Sequence, residues 1–142
     1  MKFKASEINE YWSEIYYHLH YAHTDKVTHQ MIRILQHVEK GKEPGVGNIA
    51  EWMRLSPNTA SEHVKRLIEK KYIEKKKHRD DERRTVLFLT KEGKEVLHRN
   101  SKLDEGKLSK ILSNLNKEER DLVLSAFELL SKEAKQCTSF SK

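Results

Sequence analysis

The sequence predicts a mainly α protein that carries one small β wing, and three observations predict it. Apolar residues recur every three or four positions over most of the 142 residues. The period changes to two in one region only, on either side of a charged stretch, residues 78–84. Ser, Thr or Asn stands ahead of several helical runs, where its side chain can satisfy an orphan backbone N–H.

The elements follow in order. Residues 6–24 predict an amphipathic helix with Ser6 as N-cap. Its apolar residues Ile8, Trp12, Ile15, Leu19 and Ala22 are spaced by four, three, four and three, a coiled-coil-like seam facing another helix. A second helix from Thr28 to Glu39 turns Met31, Ile32, Leu35 and Val38 inward, and Gly41 to Pro44 breaks it. A short helix from Val46 to Met53 carries Ile49, Ala50 and Met53. Ser56-Pro57 opens the next helix, with proline at the first turn, where a missing N–H costs nothing. At 100° per residue, Ala60, Val64, Leu67 and Ile68 form its buried stripe, opposite Asn58, Glu62, Lys65, Arg66 and Glu69.

Residues 72–77 and 85–89 read as strands joined by the loop His78 to Arg84, too long for a two-residue hairpin turn. Thr90 caps a helix expected to run through Leu97, Leu103, Leu108 and Leu115, with a bend at Gly106. Asn116 to Glu119 resembles a capping box opening the last helix, which carries Leu122, Val123, Ala126, Phe127 and Leu130. The tail after Lys135 is poor in apolar residues and is expected to fray.

Charge narrows the function. Residues 65–84 hold ten cations and five acids, which leaves this block at +5 of the whole chain's +6. A positive field concentrated in one-seventh of the chain suits a polyanion, because each neutralised phosphate releases condensed counterions. No apolar run approaches the roughly 18 residues a membrane helix needs, and no charged-then-apolar leader is visible. A single cysteine, Cys137, excludes an intramolecular disulfide and agrees with a reducing compartment. The chain reads as cytoplasmic and nucleoid-associated. No HExxH, phosphate-binding glycine loop or nucleophile elbow is present, so no enzyme, cofactor or metal is expected.

A short helix and tight turn before a helix with a polar outer face form a helix-turn-helix, and the charged hairpin after it makes the unit a winged helix. The major groove of DNA admits one helix, and a loop beside it can reach the adjacent minor groove. A tip carrying Arg79, Arg83 and Arg84 has the residue type for that narrow, negative groove.

From Thr28 to Gly93 the residues resemble the MarR family of bacterial transcriptional regulators. The resemblance rests on Ile49-Ala50 with Leu55-Ser56, on Ser56 through Leu67 as recognition helix, and on Asp81-Glu82-Arg83 followed by Leu89-Thr90 and Gly93 as wing signature. The helical flanks match in order as well. Three departures stand out. Arg54 and Lys71 occupy positions where the family often has glycine, a cost of roughly 1–2 kcal/mol each if the backbone there is left-handed. In the loop, His78 and Asp80 replace the acid and base of the longer family pattern.

The resemblance implies that Arg83 enters the minor groove while Asp81 holds the loop or orients the arginine through a charge-assisted pair. Arg79 and Arg84 are candidate phosphate or groove contacts. On the recognition helix Ser56, Asn58, Thr59, Ser61, Glu62, Lys65 and Arg66 are candidates for the DNA face; short hydroxyls near a helix N-terminus suit phosphate, whereas Asn, Glu and Arg can read base edges. Lys75, Lys76 and Lys77 alternate along a strand, so they cannot all face one groove. Tyr16, Tyr17, Tyr21 and His37 are candidates for a cleft binding a small aromatic effector, set against the plainer reading of core or dimer-interface aromatics. His18, His20 and His23 lie close in sequence without a carboxylate–cysteine set to complete a metal site, so they read as surface or interface residues. Cys137, in the tail, is badly placed for the peroxide sensing that some relatives perform through an N-terminal cysteine.

The expected organisation is an N-terminal dimerisation helix (1–27), a winged helix-turn-helix domain (28–92) and C-terminal dimerisation helices (93–142). The expected function is that of a homodimeric regulator of transcription, more readily a repressor, on double-stranded palindromic DNA. A nucleoid-architectural protein of low sequence preference is the alternative, and a winged helix that binds protein is a third.

Overall fold

The computed structural model describes residues 4–139, which fall into two compact units divided between Lys102 and Leu103. The first contains α1 (Ala5–Leu19), α2 (His29–Lys40), α3 (Val46–Met53), α4 (Pro57–Glu69), β1 (Ile73–Lys77), β2 (Thr85–Leu89) and α5 (Lys91–Ser101). The second contains α6 (Glu105–Ser113) and α7 (Lys117–Ser139). The mainly α architecture with a two-stranded wing is the one expected.

The core of the first unit is built largely from the predicted stripes, with Ile34 of α2 buried in addition to the residues expected there. Ile34 and Leu35 of α2, Ile49 of α3, and Ala60, Val64 and Leu67 of α4 are fully or almost fully buried, together with Ile73, Leu87 and Leu97. β1 and β2 pair antiparallel with Ile73 opposite Leu89 and Lys77 opposite Thr85. Only the strand ends nearest α5 contribute to the core on β1, whose remaining four residues are exposed. The wing is tied at mid-strand by the Leu87 N–H, which donates to Pro44 O at 2.8 Å.

Three of the caps behave as read. Ser56 Oγ accepts from Thr59 N at 3.1 Å, and Thr90 Oγ1 accepts from Gly93 N at 2.9 Å. Asn116 and Glu119 exchange side-chain-to-backbone bonds at 2.8 and 3.0 Å, a complete capping box at the start of α7. Thr28 likewise caps α2 through Met31 N.

Four features differ from expectation. Ser6 is not a cap: α1 already starts at Ala5, with Lys4 in the N-cap position and no side-chain bond there. The same helix stops at Leu19 rather than residue 24, because His20 turns extended and its Nδ1 bonds the Tyr16 and Tyr17 carbonyls at 3.0 and 2.9 Å. Ala22 therefore falls outside the helical seam, of which only Leu19 is buried, while Ile8 and Trp12 are exposed.

The long helix expected from Thr90 to Leu115 is two helices. Lys102 is extended, and Asp104 starts α6 by accepting from Gly106 N and Lys107 N, so the break precedes Gly106. Finally, the stretch after Lys135 continues as α7 to Ser139 instead of fraying; residues 140–142 lie outside the described residues.

Candidate nucleic-acid interface

The turn between α3 and α4 and the exit from α4 share one geometry. After α3, the Arg54 N–H bonds Glu51 O and the Leu55 N–H bonds Ala50 O; after α4, the Lys71 N–H bonds Ile68 O and the Tyr72 N–H bonds Leu67 O. Each is a Schellman closure, which needs a left-handed residue just past the helix end. Arg54 and Lys71 supply it with φ of 55° and 66°. The family resemblance marks both as positions where glycine is common, and the backbone is left-handed at both. Glu43, at φ 47°, is a third such residue that the sequence did not reveal.

Between these closures α4 presents an exposed face. Ser56, Asn58, Thr59, Ser61, Glu62, Lys65 and Arg66 are all exposed, while Ala60, Val64 and Leu67 fix the opposite stripe in the core. The Ser56 hydroxyl caps the helix and also donates to Thr59 Oγ1 at 2.8 Å, so both hydroxyls sit at the positive helix N-terminus.

The wing follows directly. On β1, Lys76 lies 3.4 Å from Glu74 and its ammonium stands 5.4 Å from the Phe88 ring centroid. Lys75 and Lys77 alternate with it and pair across to Leu87 and Thr85, so the three lysines divide between two faces as expected. At the tip, Asp81 Oδ1 accepts from the Arg83 N–H at 3.1 Å and lies 3.5 Å from Arg83 Nε. The Arg83 side chain is nonetheless 95% exposed. Arg79 and Arg84 are exposed beside it.

One organising residue of this loop was not singled out as a site residue. His78 is 10% exposed, and its Nδ1 accepts from the N–H groups of both Asp80 and Asp81 at 3.1 Å. Its own N–H donates to Arg84 O at 2.9 Å, closing the loop across its base. The only sequence signal for it was the departure from the family's wing pattern.

The proposed effector residues do not share one setting. Tyr16 lines an open pocket of about 410 Å³ with Val27, His29, Ile32, Gln36 and Asn100. Tyr21 hydroxyl pairs with His98 Nε2 at 3.0 Å, and Tyr17 is 72% exposed on α1. His37 packs on Trp52, ring centroids 5.4 Å apart; burial, with help from the Arg33 charge, holds its imidazole below the usual value. The three N-terminal histidines have local partners: His18 pairs with Glu14, His20 bonds the last carbonyls of α1, and His23 lies 3.6 Å from Asp25.

Comparison with known proteins fits this geometry to a family. The model of the SarA/Rot transcriptional regulators matches residues 20–100, the core of the first unit with its wing. The chain belongs to this family. It is also 30% identical, over 101 residues covering 68% of this chain and 70% of the relative, to the HTH-type transcriptional regulator BilQ of Clostridium symbiosum. Among solved structures it is similar to S. aureus MepR bound to ethidium bromide, with a TM-score of 0.65, 17% identity and coverage of 93% and 97%. Streptococcus pneumoniae FabT in complex with DNA is another, with a TM-score of 0.60, 19% identity and coverage of 94% and 99%. The chain is thus a transcriptional regulator of the SarA/Rot family, with the winged-helix fold that its resemblance to the MarR family implied.

Proposed function

We propose that this SarA/Rot-family regulator binds a roughly palindromic operator as a homodimer and represses transcription by occluding a promoter. The observation that carries the reading is the juxtaposition of an exposed polar α4 face with a wing whose Arg83 projects into solvent from a loop fixed by Asp81. In this reading α4 enters the major groove with Asn58, Thr59, Ser61, Glu62, Lys65 and Arg66. Arg83 enters the adjacent minor groove, and Arg79 and Arg84 contact phosphate or groove edges.

Dimerisation is supported by apolar side chains that the single chain leaves exposed. Ile8, Tyr11 and Trp12 on α1 and Leu122, Phe127, Leu129 and Leu130 on α7 are of the type that a second copy would cover. Two-fold symmetry then sets the half-sites about one helical turn apart, on the order of 34–36 Å. In this reading a small aromatic effector that releases the DNA would occupy the pocket lined by Tyr16.

Footprinting tests this directly, alongside mass measurement in solution. A short, two-fold protected site bound by a dimer supports the reading. Continuous coverage without sequence preference would instead make the protein a nucleoid-architectural one, and no binding even at low salt would leave a protein-interaction module.

A further inference from the structure

The imidazole of His78 occupies the centre of the wing loop. Its Nδ1 accepts two backbone N–H groups, those of Asp80 and Asp81. A ring nitrogen that accepts cannot carry a proton, so Nδ1 is bare and the proton of the neutral ring sits on Nε2. That Nε2–H points at Glu43 Oε2, 2.6 Å away. Glu43 belongs to the loop between α2 and α3 and holds its left-handed φ of 47° without being glycine, a backbone conformation retained against its cost. One side chain thus fixes the wing tip at both ends of its ring: the turn at residues 80–81 on one side and the body of the domain on the other.

The consequence reaches Arg83 through a short chain of bonds. Asp81, whose N–H is held by His78, accepts the Arg83 N–H and stands beside its guanidinium. Asp81 O accepts from Arg84 N at 3.0 Å, and Arg84 O accepts from His78 N. Removing the Nδ1 acceptor therefore strands two N–H groups and frees the turn on which Arg83 is mounted.

We propose that His78 is the positioning residue of the wing, acting as the neutral Nε2–H tautomer, and that its protonation loosens the Arg83 turn and weakens DNA binding. This rests on the reading that the wing enters DNA. A proton on Nδ1 would face two N–H donors and abolish both bonds. Asp80 and Asp81 are the acids of the same loop, and across the neighbouring pocket Glu43 is joined by Glu39, Lys94, His98 and Lys102. The sign is diagnostic. Added positive charge on a DNA-binding loop by itself tightens binding; loss of the loop's shape weakens it.

Operator affinity is measured at constant ionic strength from about pH 8 to about pH 5.5, the span in which imidazoles gain a proton, for wild type, His78→Asn and His78→Gln. Asparagine keeps an acceptor near the Nδ1 position but does not titrate. It should bind within about threefold of wild type at high pH and show the shallower loss on acidification. Glutamine keeps the reach toward Glu43 but not the acceptor and should bind roughly tenfold more weakly at high pH, the scale of losing two modest hydrogen bonds. Wild type that tightens as pH falls, or an Asn variant that tracks wild type across the whole range, overturns the proposal. Arg83→Ala measured alongside separates the two readings. If it binds like wild type, the wing reading fails. His78 is then judged in the DNA-free protein by nitrogen NMR of its ring and by amide exchange at residues 80 and 81: a proton on Nδ1 at high pH, or amides equally protected in His78→Gln, overturns it as well.

Discussion

Arg99 grips the Asp25 carboxylate with two parallel bonds, Nε to Oδ2 at 2.9 Å and Nη2 to Oδ1 at 3.0 Å. Asn100 adds a third at 3.1 Å, and its own carbonyl accepts the Tyr16 hydroxyl at 3.3 Å. Asp25 sits in the segment between α1 and α2, so this cluster clamps that segment onto α5, next to the pocket that Tyr16 lines. A planar fork matched to a carboxylate is the strong form of such a bond.

The Arg99 contact holds the Asp25 carboxyl below its usual value against the opposing effect of burial. A depressed carboxylate stabilises the fold above the unfolded-state value of roughly 3.9 and loses that contribution as pH falls through the folded value. Asp25→Asn should therefore lower stability by about 2 kcal/mol near neutral pH. Urea midpoints of wild type and variant should keep their separation down to about pH 5 and converge below about pH 4. A separation unchanged at acid pH would show that the charge on Asp25 is not what the clamp uses.

Gly93 is required by space and not by φ. A Cβ built there would stand 2.0 Å from the Tyr72 carbonyl oxygen, a backbone atom that cannot swing away. That oxygen already accepts the Thr90 N–H at 3.1 Å, so α5 starts in direct contact with the exit from α4. Gly93→Ala should destabilise the winged-helix unit by about 3 kcal/mol or more, read as a lowered Tm. A variant that melts like wild type would mean the helix start can shift without cost.

Much of this was legible because it is local. Ser56, Thr90 and Asn116 cap the helices they precede, and the α3 limits Val46 and Met53 were read directly, since a cap and a period need only neighbouring residues. The left-handed sites at Arg54 and Lys71 were legible through family resemblance, which marks where the backbone wants glycine. What stayed hidden depends on bonds that sequence spacing does not announce. The end of α1 is set by a histidine ring turned back on two carbonyls, and the break before α6 by an aspartate that could equally have sat on a helix face. The wing latch needs Glu43, which lies 35 residues from His78.

Lys71 carries the left-handed closure of α4 at a strain of roughly 1–2 kcal/mol for a residue with a Cβ. Glycine would remove that strain but lose about 0.5–1 kcal/mol to the freer unfolded chain. Lys71→Gly should accordingly stabilise the protein by up to about 1 kcal/mol, raising Tm by a few degrees with the Tyr72-to-Leu67 bond intact. A fall in Tm would show that the lysine side chain contributes more than its backbone costs.

Arg83 and Asp81 give a graded test of the wing. Arg83→Ala removes one cation from the proposed groove contact, so operator affinity should drop about tenfold and the salt dependence should flatten by about one ion, with the dimer unchanged. Asp81→Asn keeps an oxygen to accept the Arg83 N–H but drops the ionic attraction to Nε, now 3.5 Å away. Asp81→Ala loses both. Binding isotherms should therefore rank wild type, Asp81→Asn and Asp81→Ala in falling affinity, because the turn holds the arginine more firmly than a half-exposed ion pair does. If Asn and Ala are equally impaired, the ionic contact and not the turn positions Arg83; if neither is impaired, Asp81 has no part in presenting it.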